Sequence, residues 1–248
     1  MVTIFPRMVE AVLAEGVVSR GIACGALDVE VHDLREHTTD RHRSVDDVPY
    51  GGGPGMVMKP EPLVRAVEAI RERRGTPDAV ILLSPQGRRF TQDEAARLSG
   101  LAHLVLLCGR YEGMDERVAA LVGAEELSLG DFVVSGGEQP ALIVMDAIAR
   151  LVPGDVGDEQ SVAEDSFSSG LLDYPHYTRP AEFAGLKVPD VLLSGHHAVV
   201  RRWRRKEALA RTLDRRPDLI ERAVLDDEDR ALLDEIKKER GPRGSAPQ

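Results

Sequence analysis

Apolar runs in the middle of this 248-residue chain end, one after another, on glycine-rich breaks. Residues 79–83 (Ala-Val-Ile-Leu-Leu) empty into Ser84-Pro85-Gln86-Gly87, and residues 104–107 into Cys108-Gly109-Arg110-Tyr111-Glu112-Gly113. Further breaks follow at Ser128-Leu129-Gly130-Asp131 and at Val134-Ser135-Gly136-Gly137-Glu138-Gln139-Pro140. Short apolar runs alternating with helical segments predict a largely parallel sheet covered on both faces. Glycine at successive strand ends leaves backbone amides and carbonyls within reach of a small molecule. Such turns also serve as plain tight connections. Four of them between residues 84 and 140, with carboxylates among them, favour a ligand site.

The rest of the chain fills in an α/β fold class. Spacing predicts a helix over 8–18, a strand over 27–31 and an amphipathic helix over 60–74 opened by Pro60. Strand 79–83, helix 92–98, strand 104–107 and helix 114–121 make two α/β steps, and Pro140 begins an apolar helix through residue 151. The pattern stops near Pro153. Residues 154–170 are acidic and Ser-rich, and read as a flexible linker. Residues 171–240 read as a smaller, mostly helical domain, with helices over 196–214, 217–224 and 227–240; Asp226 or Asp227 is placed to cap the last of these. The expected organisation is a first domain over 1–153, the linker, this helical domain and a disordered tail over 241–248.

Composition narrows the classes. An apolar fraction of 42% supports a real core, and no run has the length needed to cross a bilayer. No signal peptide is expected, because the amino terminus has neither a basic leader nor a continuous apolar segment. Cys24 and Cys108 are too few for a disulfide framework, and no Cys/His spacing suggests zinc, so a cytoplasmic location is expected. A net charge of −10 argues against a surface that is basic throughout, while Arg201-Arg202-Trp203-Arg204-Arg205-Lys206 forms a local basic patch. No Gly-x-Gly-x-x-Gly follows the first strand and no Walker loop is present, which disfavours nicotinamide and nucleoside-triphosphate chemistry. Leu82, Leu83, Leu129, Val133 and Pro140 beside open amides would suit an adenine slot.

At this point the motifs, taken together, resemble a known family. Gly51-Gly52-Gly53-Pro54-Gly55, Leu83-Ser84-Pro85-Gln86-Gly87, Cys108 to Gly113 and Ser128 to Pro140 carry the likeness. So do Glu164-Asp165-Ser166-Phe167, Asp173-Tyr174-Pro175-His176-Tyr177-Thr178-Arg179-Pro180 and Leu193-Ser194-Gly195-His196-His197. In this fixed order, over nearly the whole chain, they closely resemble the bacterial tRNA (guanine-N1)-methyltransferases of the SPOUT class.

The resemblance implies a parallel sheet whose carboxyl-terminal side is tied in a trefoil knot, and S-adenosylmethionine as cofactor. It implies a cofactor site formed by Leu82, Leu83, Ser84, Pro85, Gly87, Gly109, Tyr111, Gly113, Ser128, Leu129, Gly130, Val133, Gly136, Gly137 and Pro140. It further implies a homodimer with composite active sites, a requirement for Mg²⁺ at an unknown position, and the anticodon branch of tRNA as substrate. The implied reaction is methylation of N1 of guanosine 37.

Residue by residue, the bland alternatives remain open. Asp165 is one of 42 acidic side chains and, read alone, a solvated loop charge; the resemblance makes it the general base. Arg150 alone reads as an arginine snorkelling from a helix end, and the resemblance assigns it to guanine O6. Glu112 alone is a surface carboxylate, and the resemblance links it to the magnesium dependence of the reaction. Cys108 has no His/Asp partner nearby and reads as inert. Asp173, His176 and Arg179 are substrate-binding by resemblance and turn-stabilising otherwise. Arg201, Arg202 and Arg205 are phosphate contacts by expectation, or else a face paired with the acidic last helix. The competing functions are another SPOUT RNA methyltransferase, with a different nucleotide or target atom, and a noncatalytic RNA-binding adaptor.

Overall fold

A computed structural model of the protein describes residues 1–154 and 164–240. The chain divides into two compact units, Met1–Gly157 and Asp158–Gln248. The first unit runs β1 (Val2–Thr3), α1 (Pro6–Leu13), α2 (Gly16–Cys24), β2 (His32–Asp33), a 3-10 turn over Leu34–His37, β3 (Asp46–Asp47), β4 (Val57–Met58) and α3 (Pro60–Arg74). It continues through β5 (Ala79–Arg89), α4 (Gln92–Ser99), β6 (Leu104–Leu107), α5 (Arg117–Val122), β7 (Ala124–Ser128) and α6 (Glu138–Ala149). Five strands form one sheet in the order β2-β1-β6-β5-β7, and every neighbouring pair is parallel. β3 and β4 form a separate antiparallel hairpin that carries the Tyr50 to Gly55 loop. The α/β class and the parallel sheet expected from the sequence are both present.

Strand periodicity explains why two cores exist. Ala79, Ile81 and Leu83 of β5 join Leu106 and Cys108 in a cluster with Val18, Leu98, Val144 and Ile148 from α2, α4 and α6. Val80, with Val105 and Leu107, joins the opposite cluster against Leu63, Val67 and Ile70 of α3 and Val118 and Val122 of α5. Side chains alternate across a strand, so an unbroken apolar run feeds both faces at once. Ile81 and Leu107 are wholly buried, and each such side chain contributes roughly 1.5–3 kcal/mol over an exposed one.

The structure corrects several boundaries. The helix expected over 8–18 is two helices, because Gly16 takes a left-handed φ of 75° and breaks the run after α1. The strand expected over 27–31 is reduced to β2 at His32–Asp33. The alternating residues before it are held by ions instead: Arg74 pairs with Asp28 at 2.6 Å and also with Glu30. β5 does not stop at Leu83. Leu83 and Arg88 both register with Leu127, so Ser84 to Gly87 bulge out and the chain rejoins β7 afterwards.

The second unit contains the hairpin β8 (Glu182–Phe183) and β9 (Leu186–Lys187), which the sequence did not suggest, then α7 (Asp190–Leu193), α8 (His197–Arg215), α9 (Pro217–Arg222) and α10 (Asp227–Arg240). Its core is Leu171, Leu209, Leu232, Leu233 and Ile236. The expected linker falls partly, and the expected tail wholly, outside the described residues. Asp226 caps α10: its Oδ1 accepts the Asp229 amide at 2.8 Å, and the Asp229 carboxylate in turn accepts the Asp226 amide at 3.4 Å.

Candidate functional site

The carboxyl ends of β5, β6 and β7 open onto a cavity of about 310 Å³ in the first unit. β5 brings Leu82, Leu83, Ser84 and Pro85 to it; the loop after β6 brings Gly109, Tyr111, Glu112 and Gly113; the segment after β7 brings Ser128, Leu129, Gly130, Val133, Gly136, Gly137 and Pro140. All the residues expected at a cofactor site therefore line one cavity, with a single exception. Gly87 is not a lining residue. A Cβ there would lie 2.6 Å from the Glu126 carbonyl oxygen, so this glycine lets the β5 bulge press against β7. Its role is backbone approach on the far side of the bulge.

The walls are held by short local bonds. The Ser84 hydroxyl accepts the Gln86 amide at 3.2 Å, and the Ser128 hydroxyl accepts the Gly130 amide at 3.2 Å. The Gly137 amide donates to the Gly109 carbonyl at 2.7 Å, and a Cβ on Gly137 would come within 2.8 Å of Cys108 Cα. Two chain segments lie together here at a spacing that only glycine permits. The β3–β4 hairpin backs the same wall, since the Glu112 amide donates to the Met56 carbonyl at 3.0 Å. Burial, with Asp46 beside it, pushes the Tyr111 phenol up and keeps it protonated. Cys108 is buried under the cavity floor, and burial pushes its thiol up to about 12, so it is no nucleophile at neutral pH.

Glu112 lines the cavity together with Asp115, Glu116 and Glu126. Among the described residues no group of three or more His, Cys, Asp or Glu side chains is arranged to hold a metal ion. Arg150 is the C-cap residue of α6 and is not a lining residue. Asp165 lies in the second unit, half-buried, with its carbonyl accepting the Ser168 amide at 3.2 Å.

The remaining expected residues also belong to the second unit. The Asp173 carboxylate meets His176 Nε2 at 2.6 Å and accepts the Tyr174 amide at 2.7 Å. Tyr174, His176, Arg179 and Arg204 line a second cavity of about 400 Å³, where the Arg204 guanidinium sits 4.8 Å above the Tyr174 ring. The basic run is largely neutralised from within. Arg202 reaches Glu235 at 2.6 Å, Arg205 reaches Asp229 at 2.6 Å, and Lys206 reaches Glu235 and Glu239 at 2.7 Å. Arg201 has no acidic partner among the described residues.

Sequence reasoning did not pick out Arg110, Met114, Phe132 or Ser135, which also line the first cavity. Arg110 and Ser135 lay inside recognised motifs; their neighbours drew attention through glycine, and they offered no separate signal.

An open parallel sheet, covered by helices on both faces and carrying a glycine-walled cavity beyond the carboxyl ends of its central strands, defines a ligand-binding α/β fold. Residues 1–222 match the family model described as tRNA (Guanine-1)-methyltransferase TrmD. Proteins named tRNA (guanine-N(1)-)-methyltransferase from Dictyoglomus turgidum and Syntrophotalea carbinolica are 52% and 51% identical to this chain, each over 239 residues that cover 96% of both sequences. One from Dehalococcoides mccartyi is 50% identical over 243 residues, 98% of each. The chain belongs to the tRNA (guanine-N1)-methyltransferase family.

Proposed function

We propose that the protein transfers a methyl group from S-adenosylmethionine to N1 of guanosine 37 in tRNA, as a cytoplasmic homodimer whose active sites each draw on both subunits. The observation that carries this reading is the convergence of the expected cofactor residues on one cavity at the ends of β5, β6 and β7, in a chain of this family. Its fit to the cofactor rests on its own walls: apolar Leu82, Leu83, Leu129 and Pro140 suit an adenine ring, and glycines leave its edge free of side chains. A knotted path for the segment after β7 is part of this reading. No helix among the described residues is long and apolar enough to cross a membrane.

When bound, S-adenosylmethionine supplies an electrophilic methyl group on a sulfonium centre. Asp165, contributed by one subunit, would accept the N1 proton of guanine, leaving the N–H electron pair on N1 to take up the methyl group. Arg150 holds guanine O6 and offsets the negative charge that builds there. Leu82, Leu83, Leu129 and Pro140, with the glycine segments, would hold the cofactor beside the target base, which would lower the entropic cost of the encounter. Asp173, His176 and Arg179 contact the RNA near the target, and Arg201, Arg202 and Arg205 lie on the helix that meets its phosphates. Glu112 lines the cavity with Asp115, Glu116 and Glu126, and among the described residues these carboxylates are not arranged as a set that could hold a metal ion.

The test is incubation with unmodified tRNA and labelled S-adenosylmethionine, followed by mapping of the methylated nucleoside. The expected product is 1-methylguanosine at position 37; methylation at another atom or nucleotide, or none, would refute the assignment. In the same assay Asp165→Ala is expected to bind cofactor normally while its single-turnover rate falls by about 10²-fold or more. An unchanged rate would remove Asp165 from the mechanism.

A further inference from the structure

Glu138 opens α6 with a side chain that has no solvent exposure, and burying a carboxylate there is costly unless both oxygens are satisfied. They are. Oε2 accepts Arg110 Nε at 2.7 Å, and Oε1 accepts the Thr3 hydroxyl at 2.7 Å. That hydroxyl in turn accepts the Phe5 amide at 2.9 Å. The group thus joins β1, the loop after β6 and the start of α6 around one buried charge.

Arg110 extends the network into the cavity wall. Its Nη1 donates to the Ser135 carbonyl at 3.1 Å, and its guanidinium lies 4.7 Å over the Phe5 ring. The Arg110 backbone pairs antiparallel with Gly136, and a Cβ on Gly136 would overlap the guanidinium. The segment 135–137 is therefore seated on the Arg110 side chain, and the side chain is seated on Glu138. Hydrophobic residues of like volume stabilise a core about as well as a buried ion pair, so net stability does not explain this arrangement. Directional bonds specify position, which apolar packing does less sharply.

We infer that Arg110 and Glu138 are positioning residues that hold the two glycine walls of the cavity at the separation the cofactor needs, with Thr3 orienting the carboxylate. This rests on the reading of the cavity as the S-adenosylmethionine site. Glu138 acts only through Arg110 and the 135–137 segment.

The full-length enzyme is assayed as wild type, Glu138→Gln and Thr3→Val, with steady-state KM measured separately for S-adenosylmethionine and tRNA. Glu138→Gln keeps the shape and removes the charge; the KM for S-adenosylmethionine is expected to rise about tenfold, with the KM for tRNA within twofold of wild type. Thr3→Val removes the orienting hydroxyl, and with it the acceptor of the Phe5 amide, and should raise the cofactor KM about threefold; it decides the matter if Glu138→Gln does not fold. An unchanged cofactor KM, or equal movement of both KM values alongside lost thermal stability, overturns the inference. Failure of the wild-type enzyme to bind S-adenosylmethionine, read by calorimetry, would instead sink the cavity assignment itself.

Discussion

Gly87 and Gly137 do different work for the same physical reason. At both, backbone from a distant part of the chain occupies the space where a side chain would stand. Gly137 does so at the cavity wall, Gly87 behind the bulge of β5, where Glu126 and Leu127 press against it. The motif Ser84-Pro85-Gln86-Gly87 identifies a special turn, but only the folded structure shows that Ser84, Pro85 and Gln86 line the cavity and Gly87 does not. Gly87→Ala is expected to destabilise the first unit by about 1–3 kcal/mol through overpacking against β7, measured by denaturant titration. A change below about 0.5 kcal/mol would mean that β7 yields easily, since surface-like tolerance is of that size.

Element by element, the helical unit shows how a basic run is accommodated. α8 brings Arg202, Arg205 and Lys206 against the acids of α10, and Asp229 serves twice, in the cap of α10 and in the pair with Arg205. Arg205 beside it holds the Asp229 carboxyl below the ordinary aspartate range, and Lys206 with Arg202 does the same for Glu235. A depressed carboxylate stabilises the fold fully above its unfolded pKa, about 4, and that contribution is lost as pH falls through the lower folded value. Stability is therefore expected to decline below about pH 4. Asp229→Asn should cost about 1–2 kcal/mol at neutral pH, less than a fully buried pair because Arg205 keeps a third of its side chain in water. It should also flatten the acid limb of the stability curve. Parallel wild-type and variant curves of unfolding free energy against pH would show that the pair contributes nothing. The reading of this run as a face paired with the last helix, one of two alternatives open in the sequence, describes three of its five cations.

For the molecule as a whole, this pairing redirects the question of where RNA docks. Arg201 and Arg215 are exposed on α8 without acidic partners among the described residues, which leaves their charge open to a phosphate where that of Arg205 is engaged. Arg201→Ala combined with Arg215→Ala is expected to lower the slope of log affinity against log salt by about 1.5, as two released counterions require. An unchanged slope and affinity would exclude this face of α8 as a docking surface. The broad plan was legible from the chain alone. Apolar runs of strand length, interrupted by glycine and alternating with helices, specify a parallel sheet with open strand ends, because backbone freedom and side-chain periodicity are local properties. Pairings between distant side chains were not legible. Glu138 and Arg110 stand 28 residues apart, Asp229 and Arg205 stand 24 apart, and nothing in one dimension distinguishes these acids from the other forty. Burial and distance select them, and both come into existence only when the chain packs.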